Sequence, residues 1–172
     1  MAGKKELIMA SATRLLEKKT YKELSVLDIV ADSNVNRNTF YYHFKDMPAL
    51  VEALACRCID RIFSDSGTDL VRKLELVVDT MYENKTLVMN VFGYADRSVF
   101  DAGLDKVCCY VMERALECSD ALQNHSEDEK KHISAMGKAC LFGLCSHWLI
   151  DGVSEDGKAM LGSVIDIVAD RI

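Results

Sequence analysis

Ser25-Val26-Leu27-Asp28-Ile29-Val30-Ala31-Asp32, then Ser33-Asn34-Val35-Asn36, then Arg37-Asn38-Thr39-Phe40-Tyr41-Tyr42-His43-Phe44-Lys45: the reading of this chain turns on these residues. Ser25 has the chemistry of an N-cap. Its oxygen can accept from the free N–H groups of the turn that follows, and Val26, Ile29 and Val30 give that turn an apolar face through about Asp32. Asn34 is among the few residues besides glycine that tolerate a left-handed backbone, and Asn36 can cap the next helix. Two short helices joined by a four-residue turn result. That is the geometry of a helix-turn-helix, whose second helix enters the major groove of DNA.

On a helical wheel, residues 36–44 put Phe40 and Phe44 on one face, Asn38 and Tyr42 opposite, and Thr39 and Tyr41 on the flanks. A short helix that exposes two tyrosines and an asparagine needs a reason. Arg37, Asn38 and Thr39 suit base edges: a forked donor for guanine, an amide for adenine, a methyl for thymine. The tyrosine hydroxyls, His43 and Lys45 suit phosphates. The alternative is that the tyrosines cover the edge of a core.

Outward from this stretch the chain reads as all-α. It has one proline, Pro48, and no alternating strand-like run, and its apolar residues recur at three and four. A first helix over 4–19 carries Ile8, Ala12, Leu15 and Leu16 on one stripe, with Lys4, Lys5, Arg14 and Lys18 away from it. Asp46 caps a fourth helix with Pro48 in its first turn, where the missing N–H costs nothing. A small, polar stretch at 64–68 marks a boundary between a DNA-binding domain over 1–63, which includes the linking helix 46–63, and a helical domain over 64–172. Helices are expected there near 69–84, 86–94, 97–121, 128–151 and 155–171.

The ordered run Val35 to Lys45, together with Ser25 to Ala31, resembles the DNA-binding domain of the tetracycline-repressor (TetR) family, and the likeness covers roughly 4–63. Asn38 stands where that family often has glycine, and Met47 where a phosphate-binding lysine is common. The resemblance implies a homodimeric transcription regulator, a repressor that binds an inverted-repeat operator in double-stranded DNA and is released by a small-molecule effector of unknown identity. It implies DNA contacts from Ser25, Asn36, Arg37, Asn38, Thr39, Tyr41, Tyr42, His43 and Lys45, with Ser25 offering the N-terminus of its helix to a phosphate.

The C-terminal half is less specific. In 128–151, Ile133, Met136, Cys140, Leu144 and Trp148 form one stripe, and Ala135, Ala139, Phe142, Ser146 and Leu149 a second about opposite. A helix apolar on both sides is buried twice. Either it is wholly internal, or the second stripe meets a symmetry mate with Ile165 and Val168 of the last helix. Met81, Tyr82, Met89, Phe92, Tyr110, Val111 and Met112 could line an effector pocket or fill an ordinary core.

Composition bounds the alternatives. The 172 residues are 49% hydrophobic and 28% charged, with a net charge of −6. That charge opposes DNA binding on average, but residues 1–63 hold ten Lys/Arg against eight Asp/Glu, and 64–172 eleven against nineteen. Seven cysteines without CxxC spacing suggest reduced, mostly buried thiols rather than a disulfide framework or zinc site. No apolar run approaches the ~20 residues of a membrane span, so a cytoplasmic protein without a membrane partner is expected. Catalytic signatures are missing: there is no phosphate-cradling glycine loop, HExxH or nucleophile elbow, and no metal or cofactor is implied. The reading from another class is a helical protein–protein adaptor without DNA binding.

Overall fold

The computed structural model describes residues 3–93, 96–119 and 124–169, and among them every regular element is an α-helix. In chain order these are α1 (Lys4–Leu16), α2 (Val26–Asp32), α3 (Arg37–His43), α4 (Met47–Phe63), α5 (Leu70–Glu83), α6 (Lys85–Phe92), α7 (Arg97–Cys118), α8 (Glu127–Ile150) and α9 (Glu155–Ala169).

The starts of the short helices are fixed by side chains. Ser25 and Asp28 form a capping box on α2: the Ser25 hydroxyl accepts from Asp28 N–H at 3.2 Å and donates to the Asp28 carboxylate at 2.5 Å, which also accepts from Ser25 N–H. Asn36 accepts from Thr39 N–H at 2.7 Å and caps α3, and Asp46 accepts from Ala49 N–H at 2.8 Å and caps α4. Between α2 and α3 the chain reverses at Asn34, whose φ of 52° is left-handed. Packing then holds what capping starts. Ile8, Ala12 and Leu16 of α1, Ile29 of α2, Phe40 and Phe44 of α3 and Leu50 of α4 share one buried cluster. Ser11, fully buried on α1, donates to Asp32 at the end of α2 at 2.6 Å, and Arg14 pairs with the same carboxylate.

This core reaches past residue 64. Val91 of α6 is buried in the same cluster and Leu87 and Phe92 pack against it, while Asn90 accepts from Tyr21 N–H at 2.7 Å and donates to the Leu16 carbonyl at 2.8 Å. The N-terminal helices are therefore seated on α6 as well as joined through α4. In the C-terminal half, α7 lies along α8 and against α4, and α9 lies against α5. Trp148, Leu149, Val153 and Leu161 close a second cluster with Val78, Val88, Phe100, Leu104 and Cys108. Of the seven free cysteines Cys108 alone is buried, and Cys58, Cys118 and Cys140 are exposed, so the thiols are less buried than their residue type suggested.

The corner between α8 and α9 is built around Trp148. Its indole N–H donates to the Ser154 carbonyl at 2.8 Å, and Val153 N–H donates to the Trp148 carbonyl at 2.9 Å. Val153 adopts φ 57°, costly for a β-branched residue, and its fully buried side chain holds it there.

A Cβ at Gly157 would overlap the Trp148 ring, which is locked in the core. Gly157→Ala is therefore expected to destabilise the protein by about 1–3 kcal/mol, read as a lowered midpoint in thermal unfolding; an unchanged midpoint would contradict the packing. The Asp28 carboxyl is held down to about 2 by the Ser25 hydroxyl, then by Ser25 N–H and Lys19. Because the unfolded carboxyl titrates near 3.9, the box stabilises fully above about pH 5 and loses its contribution as pH falls through 2. Asp28→Asn should flatten the stability–pH curve over about pH 4.5 to 3 in urea titrations followed by circular dichroism. An identical slope in the variant would remove the capping carboxylate from the account.

Candidate nucleic-acid interface

Burial of Phe40 and Phe44 sets which way α3 faces. With those rings in the core, Arg37, Asn38, Tyr41 and Tyr42 stand outside, and Tyr42 is 84% exposed. An aromatic side chain so exposed covers no core edge. Asn36, Asn38, Thr39, Tyr42 and His43 line a shallow cleft together with Lys4 from the first turn of α1. Lys4 was visible in the sequence only as a charge off the apolar stripe of α1; folding α1 across α3 brings it to the cleft. Lys5 sits 6.0 Å from the centre of the Phe44 ring on the same side.

The exposed side chains are partly ordered by one another. The Arg37 guanidinium lies 5.4 Å from the Tyr41 ring centre and donates to its hydroxyl at 3.3 Å, one helical turn on. Tyr42 and His43 meet edge to face with centroids 4.9 Å apart. Lys45 is exposed just beyond α3. Cations and hydrogen-bond donors thus converge on one face, the arrangement that phosphate and base-edge contacts require.

Two expected contributors, Ser25 and Asn36, are placed differently, and Met47 adds no cation. Ser25 is exposed at the N-cap of α2, but its N–H and hydroxyl both engage Asp28, and this carboxylate, paired with Lys19 at 3.0 Å, occupies the position a phosphate would take. Asn36 gives its side-chain oxygen to Thr39 as a cap, accepting from the Thr39 hydroxyl at 3.0 Å as well as from its N–H. Met47 packs against the N-terminal core. The first turn of α4 therefore offers an apolar side chain where a lysine would reach solvent.

The residues expected to line a pocket do not meet around one cavity. Met81, Tyr82, Met89 and Phe92 pack on the cluster around Trp148; Tyr110 and Val111 join Ile59 and Phe63 in a third cluster; Met112 is buried, its methyl group lying where a Cβ of Gly137 on α8 would go. The Asp60 carboxylate of α4 accepts a 2.6 Å hydrogen bond from Tyr110, which pushes that hydroxyl up to about 12. A cavity of about 250 Å³ lies instead at the junction of α4, α6 and α7, and of the seven only Phe92 borders it.

The free face of α8 is also turned. Ala135 and Ala139 are exposed, but Phe142 and Ile165 pack against the Trp148 cluster, Ser146 is buried and Leu149 is only 2% exposed. The side chain of Val168 lies outside the described residues. The open face runs through Met136, Cys140, Gly143, His147 and Ile150, roughly a quarter turn from the expected stripe at about 100° per residue. Each sequence stripe is therefore split along the helix: Ala135, Met136, Ala139 and Cys140 are exposed, whereas Ser146, Trp148 and Leu149 near its end are buried.

Known proteins place this architecture. A family model described as bacterial regulatory proteins, tetR family, matches residues 8–54, and one described as a transcriptional regulator C-terminal region matches 69–170. The HTH-type transcriptional regulator EthR of Mycolicibacterium smegmatis is 40% identical over 62 residues, which are 36% of this chain and only 28% of that protein. The solved structure of the dihydroxyacetone kinase operon activator DhaS superposes with a TM-score of 0.67 at 16% identity, over 98% of this chain and 96% of its own. A transcriptional regulator from Aquifex aeolicus VF5 superposes with a TM-score of 0.53 at 20% identity, over 96% and 99%. A helix-turn-helix whose reading helix turns its polar side chains to solvent, continuous with a matched regulator C-terminal region, makes this chain a member of the TetR family, and a DNA-binding transcription regulator.

Proposed function

We propose that the protein is a homodimeric repressor that binds an inverted-repeat operator through α3 of each subunit and is released by a small-molecule effector in the cytoplasm. The observation that carries the DNA contacts is the outward row of α3, Arg37, Asn38, Thr39 and Tyr42, beside Lys4. Arg37, Asn38 and Thr39 read base edges; Tyr41, Tyr42, His43, Lys45 and Lys4 hold phosphates. Asn36 supports α3 from its cap, and Ser25 acts through the start of α2 rather than as a phosphate ligand.

Dimerisation is supported by the open apolar face of α8 and α9. Met136 is 70% exposed, Ile150 63% and Ile167 62%, with Ala135, Ala139, Cys140 and Met160 between or beside them. By length and composition α8 is apolar enough to cross a membrane, and only 17% of its most apolar window is buried within the chain. A second copy packing α8 and α9 into a four-helix contact would cover this surface. Two α3 helices must then fall in successive major grooves, roughly 34–36 Å apart.

Mutations separate these roles. Tyr42→Ala, Lys45→Ala and Lys4→Ala are expected to weaken binding uniformly across sequences, each lysine variant lowering the salt slope by about one, whereas Arg37→Ala or Asn38→Ala should cost about 1–3 kcal/mol and relax preference at particular bases. Site selection from a random pool and anisotropy titrations at several salt concentrations check this; unchanged base preference in the Arg37 and Asn38 variants would refute the assignment. A chain with no duplex affinity at low salt would instead be an adaptor.

The double variant Met136→Glu with Ile150→Glu should be a folded monomer by sedimentation, since both side chains are already in solvent within the subunit. Operator affinity should fall about 10²- to 10⁴-fold as the two half-sites lose their linkage. A variant that still sediments as a dimer would move the interface elsewhere.

A further inference from the structure

We infer that Cys108 of α7 and Cys145 of α8 form a redox site: a hydroperoxide oxidises the pair to a reversible disulfide, and the crosslink lowers operator affinity. The site stands on the packing of the two helices; only its consequence for the operator rests on the reading of the chain as a DNA-binding regulator.

Packing brings the two sulfurs together. Both side chains belong to the cluster around Trp148, and the Cys108 thiol donates a hydrogen bond to the Cys145 sulfur. The helices that carry them approach closely, since the Met112 methyl group of α7 stands where a Cβ of Gly137 on α8 would go. The Lys138–Asp105 ion pair at 2.9 Å ties the same two helices again. Cys108 is 4% exposed and Cys145 is half-buried, so an oxidant reaches Cys145 first.

The hydrogen bond divides the roles. It stabilises the Cys145 thiolate and holds that thiol below its usual range, while donating it, together with burial, pushes Cys108 up. Cys56, Cys58 and Cys109 are pushed up as well, by burial first. Cys145 is therefore the nucleophile and Cys108 the resolving thiol.

The Cys145 thiolate attacks one oxygen of the hydroperoxide. An S–O bond forms, the O–O bond breaks, and the leaving alkoxide or hydroxide takes a proton from water. The Cys108 sulfur then attacks the sulfenic acid on Cys145: an S–S bond forms, the S–O bond breaks, and hydroxide leaves with the Cys108 proton as water. In all, the two thiols lose two electrons and the hydroperoxide gains them. With the resolving thiol already in contact, the disulfide forms ahead of irreversible sulfinic acid, and an external thiol reverses it by exchange.

Location supplies the consequence. A disulfide holds its sulfurs about 2.05 Å apart and its Cα atoms within about 6.8 Å, which draws the two residues closer than hydrogen-bond contact between thiols does. Closing that gap shifts α7 against α8. Tyr110–Asp60 and Lys106–Glu52, both at 2.6 Å, tie α7 to α4, whereas α8 carries the outer apolar face. A shift between them therefore resets α4 and α3 relative to that face.

The test uses the reduced full-length protein with hydrogen peroxide and cumene hydroperoxide as probes, followed by alkylation, trypsin digestion and mass spectrometry without reduction. Cleavage after Lys and Arg yields 107–114 and 139–158, each with two cysteines, so mapping is done in the wild type and in a Cys109→Ser/Cys140→Ser background that leaves one in each. The two peptides are expected to be linked in both proteins, and separate after dithiothreitol. Cys108→Ser and Cys108→Ala should each accumulate Cys145 sulfenic acid, captured by dimedone, and Cys145→Ser should give neither product. Oxidised wild type should bind operator about 5- to 150-fold more weakly, with recovery in dithiothreitol and no response in Cys145→Ser. No linked peptide at excess peroxide, or linkage that vanishes in the Cys109→Ser/Cys140→Ser background, would overturn the site. A linked protein with unchanged operator affinity would overturn the coupling. A reduced protein with no sequence-specific DNA binding would overturn the regulator reading, with the linked peptide still deciding the site.

Discussion

The burial of Phe40 is the constraint on which the DNA-binding surface depends. This ring is fully enclosed in a cluster with Ile8, Leu16 and Ile29, and full burial of such a side chain stabilises by about 1.5–3 kcal/mol. A helix of seven residues has too few backbone hydrogen bonds to persist in water by itself. Phe40 and Phe44 therefore give α3 both its existence and its rotational phase. Once they face inward, the 100° step of the helix turns Asn38 and Tyr42 outward, and no separate device is needed to present them.

The N-terminal helices are not an independent head on a single stalk. Val91 enters their core from α6, Asn90 bonds to both Leu16 and Tyr21, Lys106 reaches Glu52, and Tyr110 and Arg114 converge on Asp60. These ties run through α6 and α7 onto both ends of α4. Effector release as proposed requires these polar and apolar contacts to carry a change in the C-terminal half to α3 as a rigid movement, since packed helices shift between discrete arrangements rather than deforming smoothly. The apolar cavity lies in the middle of this set of ties.

The long helix α8 connects the remaining parts. Its inner side, Leu141, Leu144, Cys145 and Trp148, packs within the chain, and its outer side is left to solvent in a single copy. The Trp148 corner, with its hydrogen bond to Ser154 and the strained Val153, fixes the angle at which α9 returns. The outer surfaces of both helices are thereby held side by side as one apolar area.

Much of this was legible in the sequence because it is local. Capping chemistry at Ser25, Asn36 and Asp46, the tolerance of Asn34 for a left-handed turn, and the spacing of Phe40 and Phe44 act within a few residues of one another, so the all-helical fold and the outward face of α3 can be read from the chain alone. Tertiary packing decided the rest. Lys4 reaches the recognition helix only because α1 crosses α3, and Ser25 turned its donors to Asp28. In α8 the wheel revealed two apolar stripes but not the direction of α7, and the inward side proved to cut across both, taking Leu149 and Phe142 from the face expected to be free. Met81, Tyr82, Met89, Tyr110 and Val111 pack into the clusters, Met112 is buried, and of the expected pocket residues only Phe92 borders the cavity, whose other walls come mainly from α4 and the first half of α7. Periodicity records that a residue is apolar; which neighbour covers it is set by contacts between elements, and a single helix carries no record of those.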